Sequence, residues 1–200
     1  LDLNGQSNTG AISLSGTGIS SAGALINSSA TAATQSGDVT LAGATSIGGT
    51  GNITISGIIS GSNALTKVAA NTLTLSGANT YTGGTNIIAG ILSISATSNL
   101  SSVFSVTIDG GTLLSTGAVT LNKAISIGAG GGTIAAASGQ TLTANGVISG
   151  SGALTVGSAG NTGIVALSGA NTYTGSTTIS AGTLQLNPGG TISSSSSIIN

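Results

Sequence analysis

Residues 73–95 read LTLSGANTYTGGTNIIAGILSIS, and residues 165–186 read VALSGANTYTGSTTISAGTLQL. The two stretches share the octapeptide SGANTYTG, at Ser76–Gly83 and again at Ser168–Gly175. On either side of the octapeptide, aliphatic residues alternate with small or polar ones, which is the period of a β-strand with one buried face. The glycine, asparagine and serine residues between these runs are turn formers. Both stretches therefore predict short strands joined by tight turns.

The same alternation recurs along the chain. It is found in nine runs: Ile12–Leu14, Val39–Leu41, Ile53–Ile55, Leu73–Leu75, Leu92–Ile94, Val106–Ile108, Val119–Leu121, Ile125–Ile127 and Leu184–Leu186. Ile53 precedes Leu73 by 20 residues, and Leu73 precedes Leu92 by 19. Such a period is typical of a solenoid in which equivalent residues of successive coils lie about 4.8 Å apart. We predict an all-β fold, a parallel β-helix (β-solenoid) with roughly 19–20 residues per coil and about ten coils if the period holds throughout.

A longer repeat is superimposed on the coils. Residues 57–96 align with 146–188, with a three-residue insertion in the second copy, and Ser36–Gly48 aligns with Thr116–Gly128 at an offset of 80. We therefore interpret residues 1–200 as a single β-solenoid fragment with repeat units at approximately 36–96 and 116–188. Within residues 1–50 the period assigns no coil boundaries, because Val39 and Ile53 are only 14 residues apart.

The octapeptide and its flanks resemble the autotransporter-associated β-strand repeat, whose pattern is T-L-T-L-S-G-x-N-T-Y-T-G-x-T-x-I-x-x-G-x-L. This sequence departs from the pattern at Ile91, where Thr is usual, and at 163–166 of the second copy. The resemblance implies a right-handed parallel β-helix. It also implies an extracellular passenger, exported through a bacterial outer membrane and displayed on the cell surface.

Charged residues are nearly absent. They are Asp2, Asp38, Asp109, Lys67 and Lys123, and the chain has a net charge of −1 with no His or Cys. Nucleic-acid binding requires clustered Lys and Arg, and a spanning helix requires about 18 uninterrupted apolar residues. Neither is present, and without Cys there is no thiolate metal site. We expect no nucleic-acid partner, no direct membrane insertion of this fragment and no cofactor.

The same scarcity argues against catalysis. Without His no Ser-His-Asp triad can form, so we expect no enzyme and predict no catalytic, cofactor-binding or metal-binding residues. The three aspartates are interpreted as exposed surface or turn acids, Asp109 beginning an Asp-Gly-Gly turn. Lys67 and Lys123 are interpreted as solubilising surface charges. The glycine-rich segments 48–52 and 128–133 lack the Asp of calcium-binding β-rolls and are interpreted as tight turns.

The few aromatic residues allow two interpretations. Tyr81 and Tyr173 occupy the same motif position, and we expect each to pack over the coil surface as part of the repeat. Alternatively, exposed tyrosine rings stack on sugars. The β-branched Thr80-Tyr81-Thr82 segment predicts a strand, Phe104 is predicted to be core, and Ser193–Ser197 a flexible or turn segment.

The favoured function is that of a structural, adhesive passenger that mediates adhesion or self-association. Its expected partners are copies of itself or glycans of host, matrix or cell surfaces. Three alternatives remain open: a filament or sheath assembled end to end through strand edges, an inert stalk projecting another domain, and ice or crystal-face binding by Thr-x-Thr arrays. Such arrays include Thr72-x-Thr74 and Thr141-x-Thr143.

Overall fold

The computed structural model describes residues 1–101 and 105–200. Within these ranges it contains 22 β-strands, two short 3-10 helices at Ile19–Ser21 and Thr97–Asn99, and no α-helix. The strands pair in parallel, forming an all-β parallel β-solenoid of about eight turns, and the predicted right-handed β-helix is confirmed. All nine alternating runs lie in strands. No helix in the described part of the chain is long and apolar enough to cross a membrane.

The chain forms two compact units. The first comprises Leu1–Ile94 and residues from 98 to 101. Its strands are β1 (Ile12–Gly16), β2 (Leu25–Asn27), β3 (Ala33–Gln35), β4 (Val39–Gly49), β5 (Ile53–Ile55), β6 (Ile59–Ser60), β7 (Leu65–Lys67), β8 (Thr72–Leu75), β9 (Thr85–Ile87) and β10 (Ile91–Ile94). They build two parallel sheets. In one, β4 pairs with β1, β2, β6 and β7, and β7 pairs with β9; the other has the order β3-β5-β8-β10.

The second unit comprises Ser95–Thr97 and Ser105–Asn200. Its strands are β11 (Val106–Ile108), β12 (Thr112–Ser115), β13 (Val119–Leu121), β14 (Ile125–Ile127), β15 (Gly132–Ala136), β16 (Thr141–Ala144), β17 (Ile148–Gly150), β18 (Leu154–Val156), β19 (Ile164–Leu167), β20 (Thr177–Ile179), β21 (Thr183–Leu186) and β22 (Ile198–Ile199). They form three parallel sheets, with the orders β11-β14-β17, β12-β15-β18-β20-β22 and β13-β16-β19-β21.

The strand pairings predicted from the spacing are confirmed. Leu73 pairs with Ile53 on one side and with Leu92 on the other, and Leu184 pairs with Val165. Ile53, Leu73, Leu92 and Val165 are fully buried. Because alternate residues of a strand face opposite sides, this in-register stacking gives each unit an aliphatic interior. Each such side chain stabilises the fold by about 1.5–3 kcal/mol.

Coil length explains the other differences from the predicted period. Ile12 pairs with Val39 and Leu154 with Thr177, so these coils exceed 20 residues and fewer than ten turns result. Val39 and Ile53 lie in different sheets, since Val39 pairs with Ile12 while Ile53 pairs with Ala33. Their short spacing is therefore the distance from one sheet to the next within a coil.

The expected strand at Thr80-Tyr81-Thr82 is wrong. The segment is extended, and the Thr80 and Thr82 amides donate to the carbonyls of Ile59 and Gly61, both at 2.8 Å. It lacks a regular ladder because the Ile59 amide donates to the side chain of Asn79, at 2.8 Å, instead of to a backbone carbonyl. A side-chain amide thus replaces one rung of the sheet.

Candidate functional site

The repeated octapeptide forms a tight corner of the coil, and its first glycine is required by close backbone stacking. A Cβ on Gly77 would lie 2.3 Å from the carbonyl oxygen of Gly57, and a Cβ on Gly57 would lie 2.2 Å from that of Gly37. Real Cβ atoms do not approach backbone oxygens so closely. Gly37, Gly57 and Gly77 are therefore stacked on successive coils at positions where only glycine fits. We call these three residues the glycine corner.

The asparagine of the octapeptide links neighbouring coils. Asn79 Oδ1 accepts the Ile59 amide and Asn79 Nδ2 donates to the Asn99 carbonyl at 2.6 Å. Asn171 repeats the arrangement, accepting the Ile148 amide at 2.7 Å. Both asparagines are buried. Since a buried backbone group without a partner costs free energy, each asparagine fixes the spacing of adjacent coils.

The two tyrosines lie inside the coils, so the expectation of surface packing is wrong and exposed stacking on sugars is excluded for both. Tyr81 is 0% exposed and its hydroxyl contacts Thr85 Oγ1 at 2.7 Å; Tyr173 is 1% exposed and contacts Thr177 Oγ1 at 2.6 Å. Burial raises the pKa of both phenols. The octapeptide and the Thr that follows it thus build a buried hydrogen-bonded corner.

Lys67 is also buried, so its interpretation as a surface charge is wrong. The side chain is 0% exposed, and its Nζ donates to the carbonyls of Val68 at 2.7 Å and Ala69 at 2.6 Å, and to that of Ala89 at 3.2 Å. Desolvation lowers the pKa of Lys67 to about 8. The physical reason is alternation: Leu65 faces inward, so the residue two positions later faces inward as well. Lys123 is partly exposed, and burial lowers its pKa.

The aspartates lie where the sequence predicts them, exposed and in turns or strand ends. Asp38 accepts the Ile58 amide at 2.9 Å, and Asp109 accepts the Gly130 amide at 2.7 Å in a bend. Asp2 accepts the Ser28 hydroxyl, which lowers the pKa of the Asp2 carboxyl. Among residues 1–101 and 105–200 no group of three or more His, Cys, Asp or Glu side chains is placed to hold a metal ion.

Two further predictions concern loops. The glycine-rich segments predicted as turns are so only in part: 128–133 turns at 129–130 but enters β15 at Gly132, and 48–52 bends at 50–51 after β4 ends at Gly49. Ser193–Ser197 includes a turn in which Ser195 Oγ contacts Thr177 Oγ1 at 2.9 Å. Phe104, predicted to be core, lies outside the described residues.

The outward positions of the strands carry columns of hydroxyl groups. In the first unit one column is Thr34, Thr54 and Thr74, which are partly exposed, and it ends at the buried Ser93. In the second unit a column of four threonines, the Thr112–Thr178 ladder, consists of Thr112, Thr133, Thr155 and Thr178. Each of those four side chains is partly exposed. Stacked strands place such hydroxyls about 4.8 Å apart, in a line without charge.

Paired Thr-x-Thr arrays, in contrast, do not continue from coil to coil. Thr72 pairs with Ile91, and Thr74 with Ser93. Thr141 pairs with Ile164, and Thr143 with Ala166. The double ladder needed for an ice-binding array is therefore interrupted after one coil at both sites.

Comparison with known proteins agrees with this architecture. Residues 65–94 and 160–186 match the family of passenger-associated transport repeats. These segments are autotransporter passenger repeats. A stretch of 135 residues, 67% of this chain, is 43% identical to a protein of Brucella suis biovar 1 (strain 1330) named adhesin BmaC autotransporter. The chain spans only 4% of the length of that relative. No solved structure matches the chain significantly.

The passenger repeats contain the distinctive interior groups. The first repeat includes Lys67, Asn79 and Tyr81, and the second includes Asn171 and Tyr173. The shared side chains, Asn and Tyr, are buried in both copies. What the two repeats have in common is thus a buried Asn and a buried Tyr at the same corner of the coil.

Proposed function

We propose that this chain is part of an exported, extracellular passenger that acts on the bacterial surface as a non-enzymatic adhesive scaffold. The observation that carries the proposal is the Thr112–Thr178 ladder, four partly exposed hydroxyls on successive coils. The similarity to a protein named as an adhesin supports the same function.

The chemistry of this surface favours uncharged partners. A net charge of −1 on 200 residues produces little repulsion between copies and little attraction for charged ligands. Threonine presents a hydroxyl that donates and accepts, and a methyl group that packs against apolar patches. Glycans and a second copy of the same surface both offer hydroxyls and apolar ring or methyl faces. We propose these two as the partners.

The placement of the titratable groups supports a role without catalysis. General acid-base catalysis needs a pair of groups within reach of one substrate. Here Asp2, Asp38 and Asp109 each accept a hydrogen bond from a neighbouring coil, and Lys67 is enclosed by backbone carbonyls. Apart from these groups, the exposed positions of the strands carry repeated hydroxyls such as the Thr112–Thr178 ladder, which we propose as the contact surface.

The proposal is tested by attachment and aggregation of beads or cells that display the protein. Thr133→Lys with Thr155→Lys interrupts the ladder at its centre with two charges, and should reduce attachment to glycan-coated surfaces and clumping at least several-fold. Thr172→Lys, at an exposed threonine outside the ladder, is the matched control and should change neither.

Three results would overturn the proposal. One is unchanged attachment and clumping when the ladder is interrupted while folding is intact. Another is a display that never attaches or clumps, as expected of an inert stalk. The last is chains that assemble only end to end, with the ladder variant assembling as well as the parent.

A further inference from the structure

Lys67 occupies an unusual place in the interior of the first unit. It pairs with Ile47 of β4 on one side and with Ile87 of β9 on the other. All three side chains are fully buried. A cation therefore stands in a column whose neighbours on both sides are aliphatic.

The ammonium group reaches the turns beyond the strands, and the turns are shaped around it. Two of its three acceptors, the carbonyls of Val68 and Ala69, belong to its own turn, and the third, Ala89, belongs to the turn of the next coil. Ala69 adopts a left-handed φ of 62°, uncommon for a residue with a Cβ. Gly90 has φ +66°, and a Cβ there would lie 2.7 Å from Lys67 Nζ. The three carbonyls and the glycine form what we call the carbonyl cage.

In the part of this unit that the structure describes, neither acid is bonded to the buried ammonium. The neighbours on β4 and β9 are isoleucines, and the cage is backbone. The titratable groups described for this unit bond elsewhere: Asp2 to Ser28, Asp38 to the Ile58 amide, Tyr81 to Thr85, and the N-terminal amine to the Ala24 carbonyl. The lowered pKa of Lys67 agrees with a net cost of keeping the charge inside. A buried charge of this kind is a poor source of stability, and its best-attested use is to specify one arrangement over others.

We propose that Lys67 specifies the register in which its coil stacks. Two of its acceptors belong to its own turn, and the third is present only when the next coil supplies the Ala89 carbonyl. That coil must also carry glycine at position 90, because a Cβ there would meet the Ala69 and Asn71 carbonyl oxygens at 2.4 and 2.5 Å as well as Lys67 Nζ. A coil slipped along the stack, or a wrong coil in that place, would leave the buried ammonium without its third acceptor. Aliphatic columns alone do not discriminate, because Ile and Leu of many coils are interchangeable in this repetitive sequence.

The second repeat provides a natural comparison. Its equivalent of Lys67 is Val156, which is buried and followed by a longer turn containing a bridge between Ser158 and Asn161. Within that turn Gly157 supplies the left-handed φ of 73°. The second repeat thus has an aliphatic residue in the column, and its turn is held by the Ser158–Asn161 bridge instead of by a lysine.

The register can be measured directly because the chain has no Cys. Thr66 and Asn86 pair on the outer face of β7 and β9, so Thr66→Cys with Asn86→Cys can form a disulfide only when these coils are in native register. After refolding from denaturant and oxidation, the parent should be almost fully cross-linked. Adding Lys67→Val, or the longer Lys67→Met, should raise the fraction left uncross-linked several-fold without lowering the denaturation midpoint. A fully cross-linked product from both variants, or a lower midpoint with full cross-linking, would overturn the proposal.

Two further measurements keep the test decisive should both variants fail to fold. In the cysteine pair with Lys67 intact, every pH unit below about 8 should favour the native register about tenfold, because a slipped Lys67 must lose its proton while the native one keeps it. Selectivity should therefore fall about fifteenfold between pH 6.5 and 8. A constant cross-linked fraction under conditions where slippage is detectable would refute the proposal. Val156→Lys, which has no carbonyl cage, should lower the midpoint; an unchanged midpoint would show that the cage is unnecessary.

Discussion

Buried hydroxyls of the coil corner are paired with one another, and this makes their contribution measurable. Tyr81→Phe removes the hydroxyl that contacts Thr85 Oγ1. Thr85 is only 1% exposed, so its hydroxyl oxygen loses this hydrogen-bond partner in the protein interior. Unfolding free energy should fall by about 1–2 kcal/mol, since an abandoned buried polar group costs its desolvation. Denaturant unfolding of Tyr81→Phe, Thr85→Val and the double variant measures the coupling free energy between the two hydroxyls. Additive losses would contradict the pairing.

Lys67 gives the stability of the protein a specific dependence on pH. Its pKa is lowered from 10.5 to about 8 in the folded chain, so between these values the unfolded state binds more protons. The stability contribution is therefore lost as pH falls through 8 and grows as pH rises toward 10.5. Unfolding free energy should increase by about 2 kcal/mol from pH 8 to 9.5 relative to Lys67→Met.

The comparison with Lys67→Met isolates this effect. Lys123, whose pKa burial also lowers, is common to both proteins, and the raised pKa of Tyr81 and Tyr173 destabilises the fold only above pH 10. The prediction is contradicted if the unfolding free energy of the parent, relative to that of Lys67→Met, stays constant or falls as pH rises over this range.

Lys67, Tyr81 and Tyr173 were predicted at the surface and are buried, for one reason. The alternation along a strand determines which side chains face inward, whether they are aliphatic or polar, whereas the prediction followed residue type for these three. Leu65-Thr66-Lys67 carries the signal for a buried lysine, because positions 65 and 67 face the same side. In the octapeptide, Tyr81 is likewise two positions from the buried Asn79. What no sequence pattern supplies is the carbonyl cage, which depends on a turn of the following coil.

At the scale of the element, the stacked turns are less tolerant than the strands. Gly77→Ala should destabilise the first unit by about 1–3 kcal/mol or more, because the new methyl would meet the Gly57 carbonyl within 2.3 Å. Gly10→Ala is the matched control, since its nearest atom, Asn8 Oδ1, is 3.6 Å away. Thermal or denaturant midpoints decide between them. Equal midpoints for the two variants would show that the glycine corner can move apart.

Element positions were predicted well where coils have equal length and poorly where they do not. The pairs Ile53–Leu73 and Leu73–Leu92 follow from a constant period, because the residues between the paired strands number nearly the same in both coils. Ile12 and Val39 also pair, but the intervening loop contains Ile19–Ser21. An inserted loop leaves the core unchanged and shifts the spacing, so the period is lost while the alternation survives.

At the scale of the whole molecule, the scarcity of charge predicts how salt acts on the proposed adhesion. Contacts made by hydroxyls and methyl groups are not screened by ions, whereas contacts between charged surfaces weaken as the Debye length falls from about 10 Å at 0.1 M salt to about 3 Å at 1 M. Attachment of displayed protein should therefore change less than twofold between 0.05 and about 0.5 M NaCl. The double variant Thr133→Lys with Thr155→Lys should regain attachment to anionic surfaces at low salt and lose it at high salt. If the parent itself detaches as NaCl increases, its adhesion rests on Asp2, Asp38, Asp109 or Lys123, and the hydroxyl columns are not the contact surface.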